Sequence, residues 1–464
     1  MAWDYVRTLD TYPTGGRRRR ILAAAVLACL ICSYEGAIAP IVPLLRDDLG
    51  MSLTTYGAVS AVAAVMGAIS GLIGGKFTDT VGRVRLLIPL MMVCAFLCFA
   101  TALVNNPTEF FVARMVLSFA DGMALATTAP LVRDFSPRMG RATAFSFWTW
   151  GPVGANFLAA FIAGITLTAF NNAWQSQMII QGCISLVVSI AVMMTVADLS
   201  PELRASVQHS EQASLGKSVT DEPPRAATLF RRPQMWAHMI GIALWLIIYM
   251  TLSLYGQTLL VDTFGYSAAR ASQMMMLYWV CNIGTLVLAG WISDRLQLRR
   301  VFSLCGTFVA MIGCAWLAVV MATPDSASIG AVAASGLLVG VGLAVGYAPW
   351  MANYSENTED IDARLQGLAW GMFSFITRGI GVVVLVAAPL VVDAGSWRSW
   401  ILVSIGGLVA FLVASFFFEG PVLRRPGVEV PEQRAAGVPD AAVVSAEGGT
   451  PAPDQMAPRA PIQD

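Results

Sequence analysis

Twelve apolar stretches alternate with short polar breaks along the chain, at 20–43, 54–75, 86–105, 108–132, 142–166, 174–197, 235–261, 267–292, 301–322, 328–351, 365–390 and 397–418. Each is close to the 20 residues that a helix rising 1.5 Å per residue needs to cross a hydrocarbon core roughly 30 Å thick. Lipid offers no partner to a backbone N–H or C=O, so spans of this kind must bond internally, as helices. The pattern predicts an all-α polytopic membrane protein with twelve transmembrane helices. The break after the sixth span is the longest, and it divides the chain into an N-terminal segment (1–19), a first six-helix bundle (20–197), a linker (198–234), a second bundle (235–419) and a tail (420–464). The linker has mixed charge and Pro223-Pro224, as a flexible connection would. The tail is rich in Pro, Ala, Gly and Glu without apolar periodicity, and disorder is expected there.

Between spans 2 and 3 stands a charged turn, Gly75-x-x-x-Asp79-x-x-Gly82-Arg83-x-Arg85, and between spans 8 and 9 stands Gly290-x-x-x-Asp294 followed by Arg299-Arg300. The two aspartates are 215 residues apart, close to half the chain, so the bundles read as two related, pseudo-symmetric halves. Parallel repeats of this kind are how a membrane carrier makes a central site reachable from either side.

Composition agrees: 56% of residues are hydrophobic and 12% charged, against about 25% charged in a soluble domain. Net charge is zero, so nucleic acid is not expected as a partner, and two histidines are too few for a His-rich metal site or a histidine proton relay. No metal and no cofactor are expected. All eight cysteines lie in apolar runs, and Cys29-x-x-Cys32 lacks the βαβ setting of a redox pair. Arg17 to Arg20, the apolar Ile21 to Ile31 and Ala37-x-Ala39 imitate a cleavable signal peptide; with eleven spans to follow, an uncleaved first helix is expected. Of the 29 Lys and Arg, 24 fall on the side that holds both termini and three (Arg46, Arg270, Arg398) on the other. The positive-inside rule then places both termini in the cytoplasm of a cell inner membrane protein, expected to work as a monomer.

Arg114 and Arg378 lie within spans, as do Glu35 and Asp121. A charge at the centre of a spanning helix costs on the order of 2.5–3.5 kcal/mol on insertion scales, so those that persist are functional candidates. Arg114 and Asp121 are seven apart, on one helix face about 10 Å apart along the axis. Side chains tilt toward the helix N-terminus, which takes Arg114 away from Asp121 and leaves each open to other partners. Arg378, flanked by Gly379 and Gly381, belongs to the other half. Two guanidiniums from opposite halves could clamp an anion, a carboxylate above all; the alternative is a permanent ion network with Glu35 and Asp121. A carboxylate placed between desolvation and a nearby cation can take up and release a proton, which makes Asp121 and Glu35 the proton-coupling candidates. Asn156, Gln257 and Asn282 could complete the site or merely join helices. The glycine series Gly67, Gly71, Gly75 and Gly336, Gly340, Gly342, Gly346 allow close helix approach. Nothing resembles a nucleophile with an oriented base, and an enzyme is not expected.

With twelve spans, a long central break and the duplicated turn, residues 20–420 resemble the major facilitator superfamily. The first turn is similar to that family's signature between its second and third helices; the second has Gln297 where the glycine stands. Arg141-Ala-Thr-Ala and Trp174 are echoed by Arg364 and Trp397, each 223 residues on. The resemblance implies that Asp79, and Asp294 in the other half, serve the gate. Asp79 would sit by the N-terminal end of the eleventh helix, where a carboxylate meets the positive end of a helix dipole. Arg83 would pair with Asp134 at the end of span 4. Arg114-Met-Val-Leu-Ser-Phe-Ala-Asp121 and Phe135-Ser-Pro137-x-x-x-Arg141 look like the fourth helix and following loop of the anion:cation symporter branch. That implies secondary active transport by alternating access, with protons and a small-molecule organic anion, a carboxylate in the first place, moving together through the bilayer. Gly151-Pro152 partly resembles the signature of drug antiporters and supports the alternative, proton-driven export of drugs or metabolites.

Overall fold

The computed structural model describes residues 6–136, 141–204, 206, 226–296, 298–362 and 365–420. Its first bundle holds α1 (Gly15–Gly36), α2 (Val42–Asp48), α3 (Leu53–Val81), α4 (Arg83–Thr101), α5 (Pro107–Phe135), α6 (Arg141–Thr166) and α7 (Trp174–Thr195). After the short α8 (Ala226–Phe230), the second bundle holds α9 (Pro233–Phe264), α10 (Ala268–Leu296), α11 (Arg299–Val320), α12 (Ile329–Asp362), α13 (Gln366–Ala394) and α14 (Trp397–Ala414). Among the described residues, eleven spans are long and apolar enough to cross a membrane, α1 and α2 counting together as the first; α6 is the remaining long helix.

Local chemistry sets many of the boundaries. Ser52, Asn106 and Ser396 cap α3, α5 and α14 by accepting from Thr55 N, Glu109 N and Ser399 N, each satisfying a donor the helix itself cannot. Glu109 reaches back to Asn105 N at 2.8 Å, and Gly265, with φ of +66°, ends α9 in the left-handed conformation that glycine adopts without strain.

Two sequence expectations need correction. The first span, 20–43, is not one helix: α1 stops at Gly36, and a 3-10 turn at Ala39–Ile41 leads into α2. Pro40 and Pro43 supply no N–H, and proline disfavours helix at the residue before it, so the ladder cannot run through. The charged turn after span 2 is largely helical, because α3 continues to Val81; the break falls at Gly82, whose φ of +102° suits glycine. The linker enters as a two-residue strand, β2 (Asp198–Leu199), paired in parallel with β1 (Thr8–Leu9). The expected flexible part of the linker (207–225) and the expected disordered tail (421–464) lie outside the described residues.

Both bundles pack by the same rule. In each, the first span rests on the fifth and sixth, the second on the fourth, and the third on the fourth and sixth. Across the seam, α3 lies against α13 and α6 against α10. Glycine sets the closest approaches: a Cβ on Gly122 of α5 would run into the carbonyl of Gly67 and the hydroxyl of Ser70 on α3, and one on Gly342 of α12 into the backbone of Ala310 on α11. Of the glycines expected to allow such contact, Gly67 and Gly342 do so, whereas Gly75 and Gly336 face open space.

The halves are joined near the rim away from the termini. Arg46 Nη1 lies 3.4 Å from Asp262 Oδ2 across the seam, Thr54 donates to the Asp393 carboxylate, and Gln273 Nε2 donates to Gly164 O at 2.9 Å. Each half also ties its own rim with a tryptophan, Trp174 Nε1 to Asp48 Oδ2 at 2.7 Å and Trp397 Nε1 to Asp262 Oδ2 at 3.1 Å. Asp262 therefore serves both its own half and the opposite one. Beneath these bonds the edge of Tyr255 meets Tyr56 across the seam, and its hydroxyl donates to Leu385 O at 3.0 Å.

Two outcomes follow from this packing. Gly122→Ala should lower the melting temperature of the purified protein, since overpacking costs about 1–3 kcal/mol, while Gly284→Ala, with nothing within 4 Å of the new methyl, should not. Asp262→Asn should raise the population open at this rim by up to about five-fold, the worth of a partly exposed ion pair. Distances between spin labels on the two halves would measure it; an unchanged distribution would remove Asp262 from the closure.

Candidate functional site

Three helices bring the intramembrane charges together. α5 carries Arg114 and Asp121, α1 carries Glu35 one residue before it ends, and α13 of the opposite half carries Arg378. Glu35 is fully buried, and neither of its carboxylate oxygens has a hydrogen-bond partner; Ser185 and Cys94 are its polar neighbours. Asp121 is half-buried with Oδ1 unpartnered, and the carboxylates of Glu35 and Asp121 lie within 4.8 Å of each other. Arg114 is buried with Nε and Nη1 unpartnered.

Arg378 reaches across the seam from an exposed position. A Cβ on Gly71 of α3 would meet its guanidinium at 3.8–3.9 Å and the carbonyl of Gly122 at 3.4 Å. Arg378 of one half thus lies beside α3 of the other, at ordinary van der Waals distance from the Gly71 position. Asp121 is within electrostatic reach of both guanidiniums, of Arg378 more strongly than of Arg114. No ion pair joins any two of Glu35, Arg114, Asp121 and Arg378. A permanent ion network, the alternative left open by the sequence, is therefore absent among these four residues.

The neutral candidates separate. Asn156 of α6 donates to Ser253 Oγ of α9 at 2.8 Å, a hydrogen bond across the seam. Gln257, one turn further along α9, is buried with Oε1 unpartnered. Asn282 instead donates to Gly340 O at 2.9 Å inside the second bundle, which makes it a joint between α10 and α12. Ser253 escaped the sequence reading, since a lone serine in a spanning helix carries no distinguishing pattern.

Two of the gating candidates, Arg83 and Asp134, belong to a cluster at the rim that carries the termini. Arg83 pairs with Asp134, both buried, as the resemblance implied. Arg204 adds its Nε at 3.3 Å from Asp134 and its Nη2 at 2.6 Å from Asp198. Asp198 Oδ2 accepts from Arg83 N at 2.9 Å and Val84 N at 3.4 Å, so a carboxylate from the linker caps the positive end of α4. The segment before α1 holds this cap in place: Asp198 N donates to Arg7 O at 2.8 Å and Ser200 N to Leu9 O at 3.0 Å. In the second half, Arg299 Nε lies 3.1 Å from Glu356 Oε1, at the same helix ends. The side chains of Asp79 and Asp294 lie outside the described residues. Asp198 and Arg204 were missed because they sit where the sequence showed only a linker; an acid directly after a span, facing a basic turn, was the available signal.

Known proteins match this arrangement. A gallate transporter of Pseudomonas putida is 24% identical over 64% of this chain and 70% of its own. A hexuronate transporter of Bacillus subtilis is 20% identical over 84% of this chain and 92% of its own. The crystal structure of a D-xylose-proton symporter superposes with a TM-score of 0.67 at 18% identity, covering 87% of this chain and 98% of that one, which supports the fold. The family model of the Major Facilitator Superfamily matches residues 24–384, and with its two six-span halves and the Arg83–Asp134 turn at their rim, the chain belongs to that superfamily of membrane transporters.

Proposed function

We propose that this transporter carries an organic anion, a carboxylate, together with protons, by alternating access. One observation carries the reading: two guanidiniums of opposite halves, Arg114 and Arg378, both lie within electrostatic reach of Asp121, yet neither forms an ion pair with it or with Glu35. Cations in that state, Arg114 buried and Arg378 exposed at the seam, favour an anionic guest, because a bound carboxylate supplies the charge and acceptors the protein leaves out. The relatives that carry gallate and hexuronate, both organic anions, agree with it.

In this mechanism Arg114 and Arg378 hold the anion, and Asn156 and Gln257 offer their amides along the seam. Asp121 and Glu35 take the coupled proton, since two carboxylates this close in a low-dielectric setting cannot both stay ionised without cost. Closing the halves over the loaded site requires the opposite rim to part, which breaks Arg46–Asp262 and Thr54–Asp393. The Arg83–Asp134–Arg204–Asp198 cluster keeps the inner ends of the first bundle in register, and Asp79 and Asp294 complete the gate. We place the protein in the cell inner membrane as a monomer with both termini cytoplasmic, on the strength of the Lys and Arg asymmetry. The alternative, proton-driven export of drugs or metabolites, draws on Gly151-Pro152 and on the likeness of about a quarter of the chain to multidrug resistance proteins; a Cβ on Gly151 would also meet Cys29 Sγ of α1 at 2.5 Å, so helix packing alone accounts for that glycine.

Uptake into proteoliposomes under an inward proton gradient tests the proposal, with gallate, a hexuronate and their neutral amides as substrates. Arg378→Ala and Arg114→Ala should each reduce anion uptake about 10–100-fold, the worth of hydrogen bonds to a charged group. Asp121→Asn should abolish gradient-driven accumulation while keeping exchange of anion for anion. Equal transport of the neutral amides, or full activity in Arg378→Ala, would sink the anion reading.

A further inference from the structure

One group in this region has no part in anion or proton binding. Cys32 precedes Glu35 by one turn on α1, is fully buried, and its Sγ lies within 4.8 Å of a carboxylate oxygen of both Glu35 and Asp121, which are likewise within that distance of each other. Three donors of this kind around one point are a ligand set. Glu35 supplies the independent sign that something is held there: it is fully buried, directed into the cluster, and unpartnered at both oxygens. Asp121 is only half-buried, which leaves one side of the cluster accessible.

We propose that Cys32, Glu35 and Asp121 bind a thiophilic divalent cation of the zinc class. One sulfur and two carboxylate oxygens suit d10 ions, which accept mixed S and O donors, whereas sodium, magnesium and calcium prefer oxygen alone. Metal–sulfur and metal–oxygen bonds of about 2.3 and 2.1 Å set tetrahedral donors roughly 3.6 Å apart, so the cluster has to close by about 1 Å, within the reach of side-chain rotation. Three protein donors leave the fourth position to water from the groove. On binding, the Cys32 S–H bond breaks, its proton leaves to solvent and a sulfur–metal bond forms, with no change of oxidation state. Any proton on Glu35 or Asp121 leaves with it. The bound ion then occupies both carboxylates and ties α1 to α5, which arrests the carrier.

The test uses the full-length purified protein with cadmium chloride as probe. Wild type should show the ultraviolet charge-transfer band of a cadmium–thiolate bond and a rise in melting temperature, since a ligand that binds only the folded form stabilises it. Cys32→Ser, with Cys32→Ala as a second variant against misfolding, should lose the increment in the band and weaken half-saturation at least ten-fold. Glu35→Gln should weaken it similarly with the thiol intact. In proteoliposomes, cadmium should inhibit wild-type uptake and spare Cys32→Ser, whose own uptake stays normal. A band and thermal shift unchanged in Cys32→Ser would assign the metal to the exposed Cys183 or Cys305 and overturn the site, as would indifference to Glu35→Gln. The spectroscopic and thermal readouts need no transport, so they stand or fall apart from the proposed substrate.

Discussion

The cost of holding charge in a hydrocarbon setting governs the rest of this structure. Four ionised or ionisable side chains at mid-span would be ruinous if each were left against lipid. The fold brings them together from three helices, α1, α5 and α13, with the two carboxylates within 4.8 Å of each other and both guanidiniums within electrostatic reach of Asp121. They remain close enough to moderate one another and too far apart to form ion pairs. Closer approach would neutralise the groove for good, and wider separation would leave isolated charges. The helix spacing depends on glycine: Gly67 and Gly122 bring α3 and α5 into backbone contact.

Duplication explains how the two rims are built and where they differ. Trp174–Asp48 and Trp397–Asp262 stand at corresponding positions, as do Arg83–Asp134 and Arg299–Glu356. Such pairs are inherited by both halves and fix each bundle internally. The candidate site lies in the departures from symmetry. Arg378 has no counterpart in span 5, Glu35 none in span 7, and the cap of α4 by Asp198 belongs to the first half, whose N-terminal strand reinforces it. One bundle thus carries the acids and a braced inner rim, and the other contributes a single cation across the seam.

Much of this was legible in the sequence, because a bilayer imposes one long-range rule. Span number and the four intramembrane charges follow from hydropathy, the internal repeat from the duplicated charged turn, and the Arg83–Asp134 pair from the family resemblance. What escaped depends on three-dimensional neighbours. The break in the first span required weighing Pro40 and Pro43 against an apolar run that read as continuous. Asn282 and Asn156 look alike in sequence, yet one bonds inside its bundle and the other across the seam, according to the face each presents. Cys32 seemed one more small apolar residue, since its neighbour Asp121 is 89 positions away.

Asp262 holds two donors at once, Trp397 from its own bundle and Arg46 from the other. When the halves separate, the arginine leaves but the indole stays, so the carboxylate is never stranded. At Asp262, parting the seam would cost one weak attraction rather than the exposure of a naked charge. The indole thus does for this carboxylate what water would do elsewhere, supplying a donor that does not depend on the other half.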